Sequence, residues 1–443
     1  MLSNNVELVL KKIEEDKVSL CHLTFTDING SIKRLTIPVN KLKESLNRGT
    51  WFDGSSIEGF ARIHESDLYL KPDPTTYALI PWEPVPTARF FCDVFTPNDK
   101  PFEADPREIL KKQLNEALKI GFTFNTGPEL EFYLFENNSS KPKPHDNAGY
   151  FDFAPLDKAL SVRREILLAL EKMGLKVEAS HHEVGPGQHE IDFQYDNALL
   201  TADNAITFKK TVKSIAILHD LHASFMPKPL FGQAGNGMHV HQSLFKADSN
   251  ENAFFDSKNK YNLSETAKQF IAGQLKHVKA ITAITNPTIN SYKRLIKGFE
   301  APVYITWASI NRSALIRIPR TFKENPKSTR IELRSPDPSA NPYLAFTVML
   351  AAGLDGIKNS LPLPEPVEEN IYHFEDHKLK QLAIDSLPAN LFEAVEELKK
   401  DNVIQKALGE KTFETILRLK KIEWKEYSQQ VTEWELQKYF KST

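Results

Sequence analysis

Four stretches of this sequence alternate charged and apolar residues with period two, and few folds accommodate that. In Glu129-Leu130-Glu131-Phe132-Tyr133-Leu134-Phe135 both carboxylates fall on one side of a strand, with Leu130, Phe132 and Leu134 on the other, because successive strand residues face opposite ways. Met238-His239-Val240-His241-Gln242-Ser243-Leu244 sets His239, His241 and Ser243 against Val240 and Leu244. Arg330-Ile331-Glu332-Leu333-Arg334 places two guanidiniums around one carboxylate, and Glu190 opens a similar run that ends at Tyr195. A single strand of this kind is an ordinary amphipathic strand with one wet face. Four of them, furnished with Glu, His and Arg rather than Lys and Thr, predict a curved sheet with its charged face turned inward. Carboxylates gathered there repel one another and require cations.

Five carboxylates and one imidazole suit two hard ions such as Mg²⁺ or Mn²⁺, which prefer oxygen ligands and tolerate histidine. The run His181-His182-Glu183 hints at zinc but lacks the helical i, i+4 pair, so that reading carries little weight. Arg294, Arg312, Arg317, Arg320, Arg330 and Arg334 crowd one region, although lysine supplies most of the basic charge elsewhere. Arginine is preferred where planar, bidentate recognition of carboxylate or phosphate matters. Metals held by carboxylates beside an arginine cluster imply a phosphorylated, highly anionic ligand, and hence phosphoryl transfer. No Walker A, kinase glycine loop or GxGxxG pattern is present. Gly232-Gln233-Ala234-Gly235-Asn236-Gly237 reads equally well as a turn before the next strand or as a ligand loop. The residues alone reach a metal-dependent, phosphate-handling enzyme.

The rest of the chain sets limits. Its 443 residues exceed what one ordinary domain needs, and are ample for a large core. With 56 Lys+Arg against 58 Asp+Glu there is no broad electrostatic basis for binding nucleic acid or an anionic membrane. Cys21 and Cys92 form no disulfide framework, which predicts a reducing compartment. The first residues, MLSNNVELVLKKIEED, read as an amphipathic helix rather than a signal peptide. The apolar run from Tyr343 to Leu354 is too short to span a bilayer.

Ser19 to Phe25 and Ile32 to Val39 predict a hairpin around Asn29-Gly30, with further β segments over Thr75 to Pro81 and Thr87 to Phe95. Trp51 to Ser56 reads as a small-residue loop and Thr96 to Pro101 as a linker, so residues 1–104 form a small, mostly β domain. Asp105, Pro106 and Glu108 give a capping-box start to the next helix and to a second domain, 105–443. Within it, helices are expected near 157–173, 201–220 and 264–285, and strands near 129–135, 189–195, 238–245, 303–310 and 329–335. A helix-rich tail begins near 390, after a surface loop at Leu361 to Pro366.

Several segments together resemble glutamine synthetase. They are Asp53-Gly54-Ser55-Ser56-Ile57-Glu58-Gly59-Phe60, Gly127-Pro128-Glu129-Leu130-Glu131-Phe132, Glu183-Val184-Gly185-Pro186-Gly187-Gln188-His189-Glu190, Asn236-Gly237-Met238-His239 and Asn311-Arg312-Ser313. Lys293-Arg294-Leu295 and Arg330 to Ser335 agree in order and spacing. The match covers nearly the whole chain and points to the bacterial type I form. It implies an α+β protein, with a small N-terminal β-grasp-like domain and a larger catalytic domain around a curved antiparallel sheet. It also implies a cytoplasmic homo-oligomer, a dodecamer of two hexameric rings, whose active sites are shared between neighbours. The reaction implied is ATP-dependent ligation of ammonia to the γ-carboxylate of glutamate through γ-glutamyl phosphate, with two to three Mg²⁺ or Mn²⁺ ions.

By the same resemblance, Glu131, Glu183 and Glu190 bind the metal nearer glutamate, and Glu129, His239 and Glu332 the metal that orients the ATP phosphates. Arg294 holds the substrate α-carboxylate, with Gly235 nearby, while Arg312 and Arg334 neutralise the γ-phosphoryl group. Asp53 of a neighbouring subunit binds and deprotonates ammonium. Glu300 corresponds to a flap residue that shields the acyl phosphate. Glu178, His241, Ser243, Arg317, Lys327 and Arg330 match positions around the nucleotide.

Two departures stand out. Ala234-Gly235-Asn236-Gly237 replaces the Asn-Gly-Ser-Gly of many relatives, and Tyr372 lacks the acidic, proline-containing flank of the adenylylated subgroup. Arg62 and the short length resemble instead the group inhibited directly by glutamine. Alternatives at this stage are a same-fold glutamate–amine ligase for polyamine-type substrates, which the full Asp53-Gly54-Ser55-Ser56 loop argues against, and a catalytically silent structural relative. Nitrogen-responsive regulators are conceivable partners; nucleic acid and membrane are not.

Overall fold

In the computed structural model the described residues are 2–57, 67–137, 139, 141–298, 301–320 and 325–442. Two sheets organise them. The first comprises β1 (Leu20–Thr26), β2 (Ile32–Pro38), β3 (Thr50–Asp53), β4 (Asp67–Pro72), β5 (Ala78–Leu79) and β6 (Thr87–Phe95), in the order β2-β1-β6-β4-β3 with β5 on β6. β1 and β6 run parallel and the other pairs antiparallel, the β-grasp arrangement. The hairpin around Asn29-Gly30 forms as expected, with Gly30 at φ +77.

The second sheet comprises β7 (Phe122–Glu136), β8 (Val177–His182), β9 (Gln188–Phe193), β10 (Asp196–Asn197), β11 (Leu221–Ser224), β12 (Met238–Lys246), β13 (Trp307–Ala308), β14 (Ile316–Arg317) and β15 (Ile331–Leu333). Its order is β13-β14-β15-β12-β7-β9-β8, and β10 and β11 also pair with β7. All pairs except β13 with β14 are antiparallel. Leu130, Phe132, Leu134, Ile191, Val240, Leu244, Ile331 and Leu333 are fully buried in one continuous core. Helices Pro106–Lys119 and Ala198–Leu218 contact β7. The apolar parity of each strand therefore faces helices, which leaves the charged parity for the other face.

Arg107 ties the two sheets together. Its guanidinium reaches Asp93 at 2.6 Å and Asp73 at 2.9 Å from the first sheet, and Asp203 at 3.0 Å from the helix behind the second. Such a buried cation is costly unless each donor finds an acceptor, and here the donors do.

Several local expectations need correction. Residues 50–53 form a strand, not a loop, because Trp51 and Phe52 pair with β4. Thr75 to Pro81 breaks into a short helical turn and two strand residues. The strands expected over 303–310 and 329–335 shrink to two and three residues, since Pro302, Pro319 and Pro336 interrupt the neighbouring chain. Asp105 caps its helix by accepting from the Arg107 amide, whereas Glu108 lies 4.0 Å from Lys112, so the capping box does not form.

Candidate active site

Strand register writes the charged residues into one row. Glu129 on β7 lies opposite His239 on β12, and Glu131 lies opposite Glu190 on β9. Farther out, Glu190 faces His181 on β8, while Glu332 on β15 faces both His241 and Arg317. Directly opposite residues have Cβ atoms about 5 Å apart, so the row needs no unusual backbone to bring its side chains together. Glu183 joins from the turn between β8 and β9, where the Glu183 amide bonds the Gln188 carbonyl at 2.8 Å.

One half of the row is rich in guanidinium. Glu332 is fully buried, with Oε1 accepting from Arg334 Nη1 at 2.6 Å and Oε2 from Arg317 Nε at 2.5 Å. Burial works against the Glu332 charge, but Arg334 and the two histidines outweigh it and hold its carboxyl below the usual range. His241 Nε2 donates to Glu129 Oε1 at 2.6 Å, and Arg330 Nε donates to His241 Nδ1 at 3.2 Å. An arginine can only donate, so that contact makes Nδ1 an acceptor and leaves the proton on Nε2. Burial also opposes ionisation of Glu129, yet hydrogen bonds from His239 and His241 hold it well below its ordinary value. His239 Nδ1 points between Glu129 Oε2 at 3.4 Å and Glu332 Oε1 at 3.7 Å.

The other half is short of positive charge. Glu131 Oε2 accepts from the Gly237 amide at 2.8 Å and from Gln188 Nε2 at 3.1 Å. Glu183 Oε1 meets His181 Nε2 at 2.8 Å. Among the described residues, neither lysine nor arginine forms an ion pair with Glu131, Glu183 or Glu190; His181 is the pairing group. Burial, with the Glu183 charge next, pushes the Glu131 carboxyl up to about 8. Burial and then the Glu131 charge push Glu190 up to about 11. Asp192, two residues along the same strand face, rises to about 6, chiefly through burial.

Both halves fit divalent cations. Glu129, His239 and Glu332 offer donor atoms within 4.8 Å of one another, and so do His181, Glu183 and Glu190. The donors are mainly carboxylate oxygen, the set that suits Mg²⁺ or Mn²⁺. The space is also kept clear: a Cβ on Gly237 would lie 2.8 Å from Arg294 Nη2 and 3.0 Å from His239 Nε2. A third ligand-like group, His145, Asp146 and His189, is different. Arg163 Nη1 lies 3.0 Å from His189 Nδ1 and can only donate, which leaves Nε2 of a neutral ring protonated and unable to ligate. Asp146 instead accepts from the Gly187 amide at 2.9 Å and from His182 Nε2 at 3.2 Å, and so props the turn that carries Glu183.

Beside Glu129 opens a cleft of about 330 Å³, lined in part by Glu178, His241, Ser243, Lys327 and Arg330. Five of the six residues assigned to the nucleotide from sequence thus meet in one cavity; Arg317 does not line it and is paired with Glu332. Buried Arg294 donates to the carbonyls of Ser335 at 2.8 Å and Arg334 at 3.2 Å, and packs against Gly235. Arg312 is exposed. Asp53 is also exposed and accepts from Ser55 N at 2.8 Å and Ser55 Oγ at 2.6 Å, bonds that hold its carboxyl below the usual value. These Asp53 contacts are local, and none joins it to the row among the described residues. Arg62 and Glu300 lie outside the described residues. Tyr372 donates its hydroxyl to the Ala301 carbonyl at 2.6 Å.

Sequence reasoning weighed His181 only in a zinc run and gave Asp192, Gln188 and Asn236 no role of their own. The first two carried a signal, since each lies two residues from a carboxylate, Asp192 from Glu190 and His181 from Glu183, an even offset that strand parity assigns to the charged face. His182, on the other parity, turns away.

Two family profiles match the chain: "Glutamine synthetase, beta-Grasp domain" over residues 17–97 and "Glutamine synthetase, catalytic domain" over residues 103–439. A glutamine synthetase of Thermotoga maritima is 54% identical over 439 residues, 98% of this chain and 99% of the relative. A solved ADP complex of GmaS superposes with a TM-score of 0.90 at 32% identity, covering 97% of this chain and 99% of that one. The cryo-EM structure of Plasmodium falciparum glutamine synthetase gives 0.88 at 28% identity, with 98% of each chain covered.

Proposed function

We infer the roles of individual residues from one premise: the chain belongs to the glutamine synthetase family. It is a glutamate–ammonia ligase, an ATP-using, divalent-metal-using enzyme of glutamine synthesis. A ligase for a larger amine is not favoured beside a 54% identical glutamine synthetase that spans the whole chain.

The row supports a division of labour. Its carboxylate-rich half, Glu131, Glu183 and Glu190, holds one Mg²⁺ or Mn²⁺ beside the glutamate substrate. Its guanidinium-rich half, Glu129, His239 and Glu332, holds another beside the ATP phosphates. Once bound, these cations neutralise phosphate and carboxylate oxygens. Arg294, with Gly235 beside it, grips the glutamate α-carboxylate through the donors its carbonyl partners leave over. Arg334 and Arg317, already fixed by Glu332, face the phosphoryl group; Arg312 adds charge as it moves to the γ-carboxylate. The adenine nucleotide occupies the cleft of Glu178, His241, Ser243, Lys327 and Arg330, which gathers these side chains beside Glu129.

Ammonium is drawn to Asp53, whose carboxylate is kept ionised by Ser55 and can accept a proton from NH₄⁺. Because the contacts of Asp53 among the described residues are local, it serves the row of a neighbouring subunit, which requires a homo-oligomer. Two stacked six-membered rings of the bacterial type I are the assembly we propose. Glu300 acts as the flap over the intermediate and Arg62 as the glutamine-sensing group. The domain boundary lies near residue 104. No helix among the described residues is long and apolar enough to cross a membrane, and Cys21 and Cys92 are free and buried; both support a cytoplasmic location.

The observation that carries this reading is the cross-strand register that pairs Glu129 with His239 and Glu131 with Glu190. Phosphate release from ATP tests it. Release is expected only when glutamate, ammonium and Mg²⁺ or Mn²⁺ are all present, and release independent of glutamate would refute it.

A further inference from the structure

The Gln188 side chain is fully buried and touches three separate segments of the site, yet no part of the chemistry above uses it. Its Nε2 lies 3.1 Å from Glu131 Oε2, 3.1 Å from the Gly235 carbonyl and 3.1 Å from Asn236 Oδ1. Its Oε1 accepts from the Gly185 amide at 3.0 Å, closing the turn that carries Glu183. That turn leaves no room for a side chain at 185, where a Cβ would lie 2.9 Å from Gln188 Oε1. Asn236, also fully buried, passes the link onward by donating to the Met226 carbonyl at 2.9 Å.

The consequence for Glu131 is specific. Both donors that reach it, Gln188 Nε2 and the Gly237 amide, land on Oε2. A carboxylate oxygen occupied by two N–H groups is a poor further ligand, so Oε1 is the atom turned toward a cation. A carboxamide is the side chain that can donate to a carboxylate and accept from a backbone amide in one place. Glutamate at 188 would repel Glu131, and an apolar residue would leave Oε2 and the Gly185 amide short of partners.

We propose that Gln188, together with Asn236, is the positioning residue that couples the glutamate-side metal ligands to the Gly235 segment meeting the substrate backbone. The inference rests on the function argued above and adds a route by which cation and amino acid are held in one register. ATP binds at the far half of the row and has no share in this link.

Gln188→Met, Asn236→Ser and the double variant test it in the full-length protein, through KM for glutamate, KM for ATP, Mn²⁺ titration and melting temperature. Gln188→Met is expected to raise KM for glutamate about tenfold and weaken one Mn²⁺ site, with KM for ATP within about twofold. Asn236→Ser, which keeps a smaller polar group, is expected to raise KM for glutamate about threefold, and the double variant to add little beyond Gln188→Met. Unchanged KM for glutamate overturns the proposal. So does a loss of ATP affinity matching that of glutamate, since a merely structural residue would weaken both. If Gln188→Met does not fold, Asn236→Ser alone decides by the same split. Wild-type protein that fails to use glutamate defeats the functional reading and this inference with it; active wild type with unaltered variants defeats only the inference.

Discussion

Glu332 and Glu190 stand toward opposite ends of the same row, but Glu332 sits between two guanidiniums while Glu190 faces Glu131 across the strand and has Asp192 on its own strand. One half of the site carries its counter-charge within the fold. The other gathers three carboxylates whose ion-pair partner among the described residues is the His181 imidazole, with the Arg294 charge easing Glu131 from farther off. On the roles proposed above, the positive charge built into the first half is there for phosphate oxygens before any ligand binds. The second half sheds negative charge in the metal-free fold by holding protons on Glu131 and Glu190, the place we propose a cation takes over. The two therefore differ in what the fold itself stabilises, although both are made of the same kinds of side chain.

Paired substitutions test that difference most severely. Glu332→Ala leaves Arg317 and Arg334 without their shared partner and is expected to cost about 3–5 kcal/mol of metal-free stability, as well as turnover. Glu190→Gln should also abolish most turnover, yet leave the metal-free melting temperature unchanged or higher, because it removes a repelled carboxyl. Thermal unfolding in chelator, beside phosphate release, reads both effects, and matching losses of stability would erase the distinction between the halves.

A pH series makes a smaller demand. Glu131 and Glu190 hold protons in the metal-free fold up to about 8 and about 11, whereas unfolded glutamates release theirs near 4.5. The folded state then binds more protons than the unfolded one, so stability contributed by these groups declines as pH rises above about 4.5. Metal-free protein should lose melting temperature between about pH 5 and 8, and Mn²⁺ affinity should rise over the same interval as the displaced protons become easier to remove. The smallest effect is expected at His181, which touches a ligand and lies at the edge of the row. His181→Ala should weaken one Mn²⁺ site by about tenfold in a calorimetric titration and leave KM for ATP unchanged.

Much of this site could be read before any coordinates, because period-two alternation reports which side chains share a face. Glu129, Glu131, His239, Glu190 and Glu332 were found that way, and the structure puts them in register. The short strands β13 to β15 were harder, since two or three residues among prolines leave little periodicity to detect. Gln188 was beyond reach for another reason. Its acceptors come from residues 57, 47 and 48 positions away in sequence, and nothing local distinguishes a structural amide from a solvated one. Asn236 shows the same limit: in sequence it is marked only as part of a departure from the motif of many relatives, whereas its carboxamide fills a buried slot between two segments.

The ladder that aligns these groups also dictates where the gene can tolerate changes of length. Adding or deleting one codon inside β7, β9 or β12 would invert every later side chain on that strand, sending acids into the oily layer and leucines into the reaction chamber. Pairs of codons would preserve facing but move each ligand two rungs from its mate. Length variation among homologues should therefore collect in the connections, while the strand interiors stay fixed in number even where their letters drift.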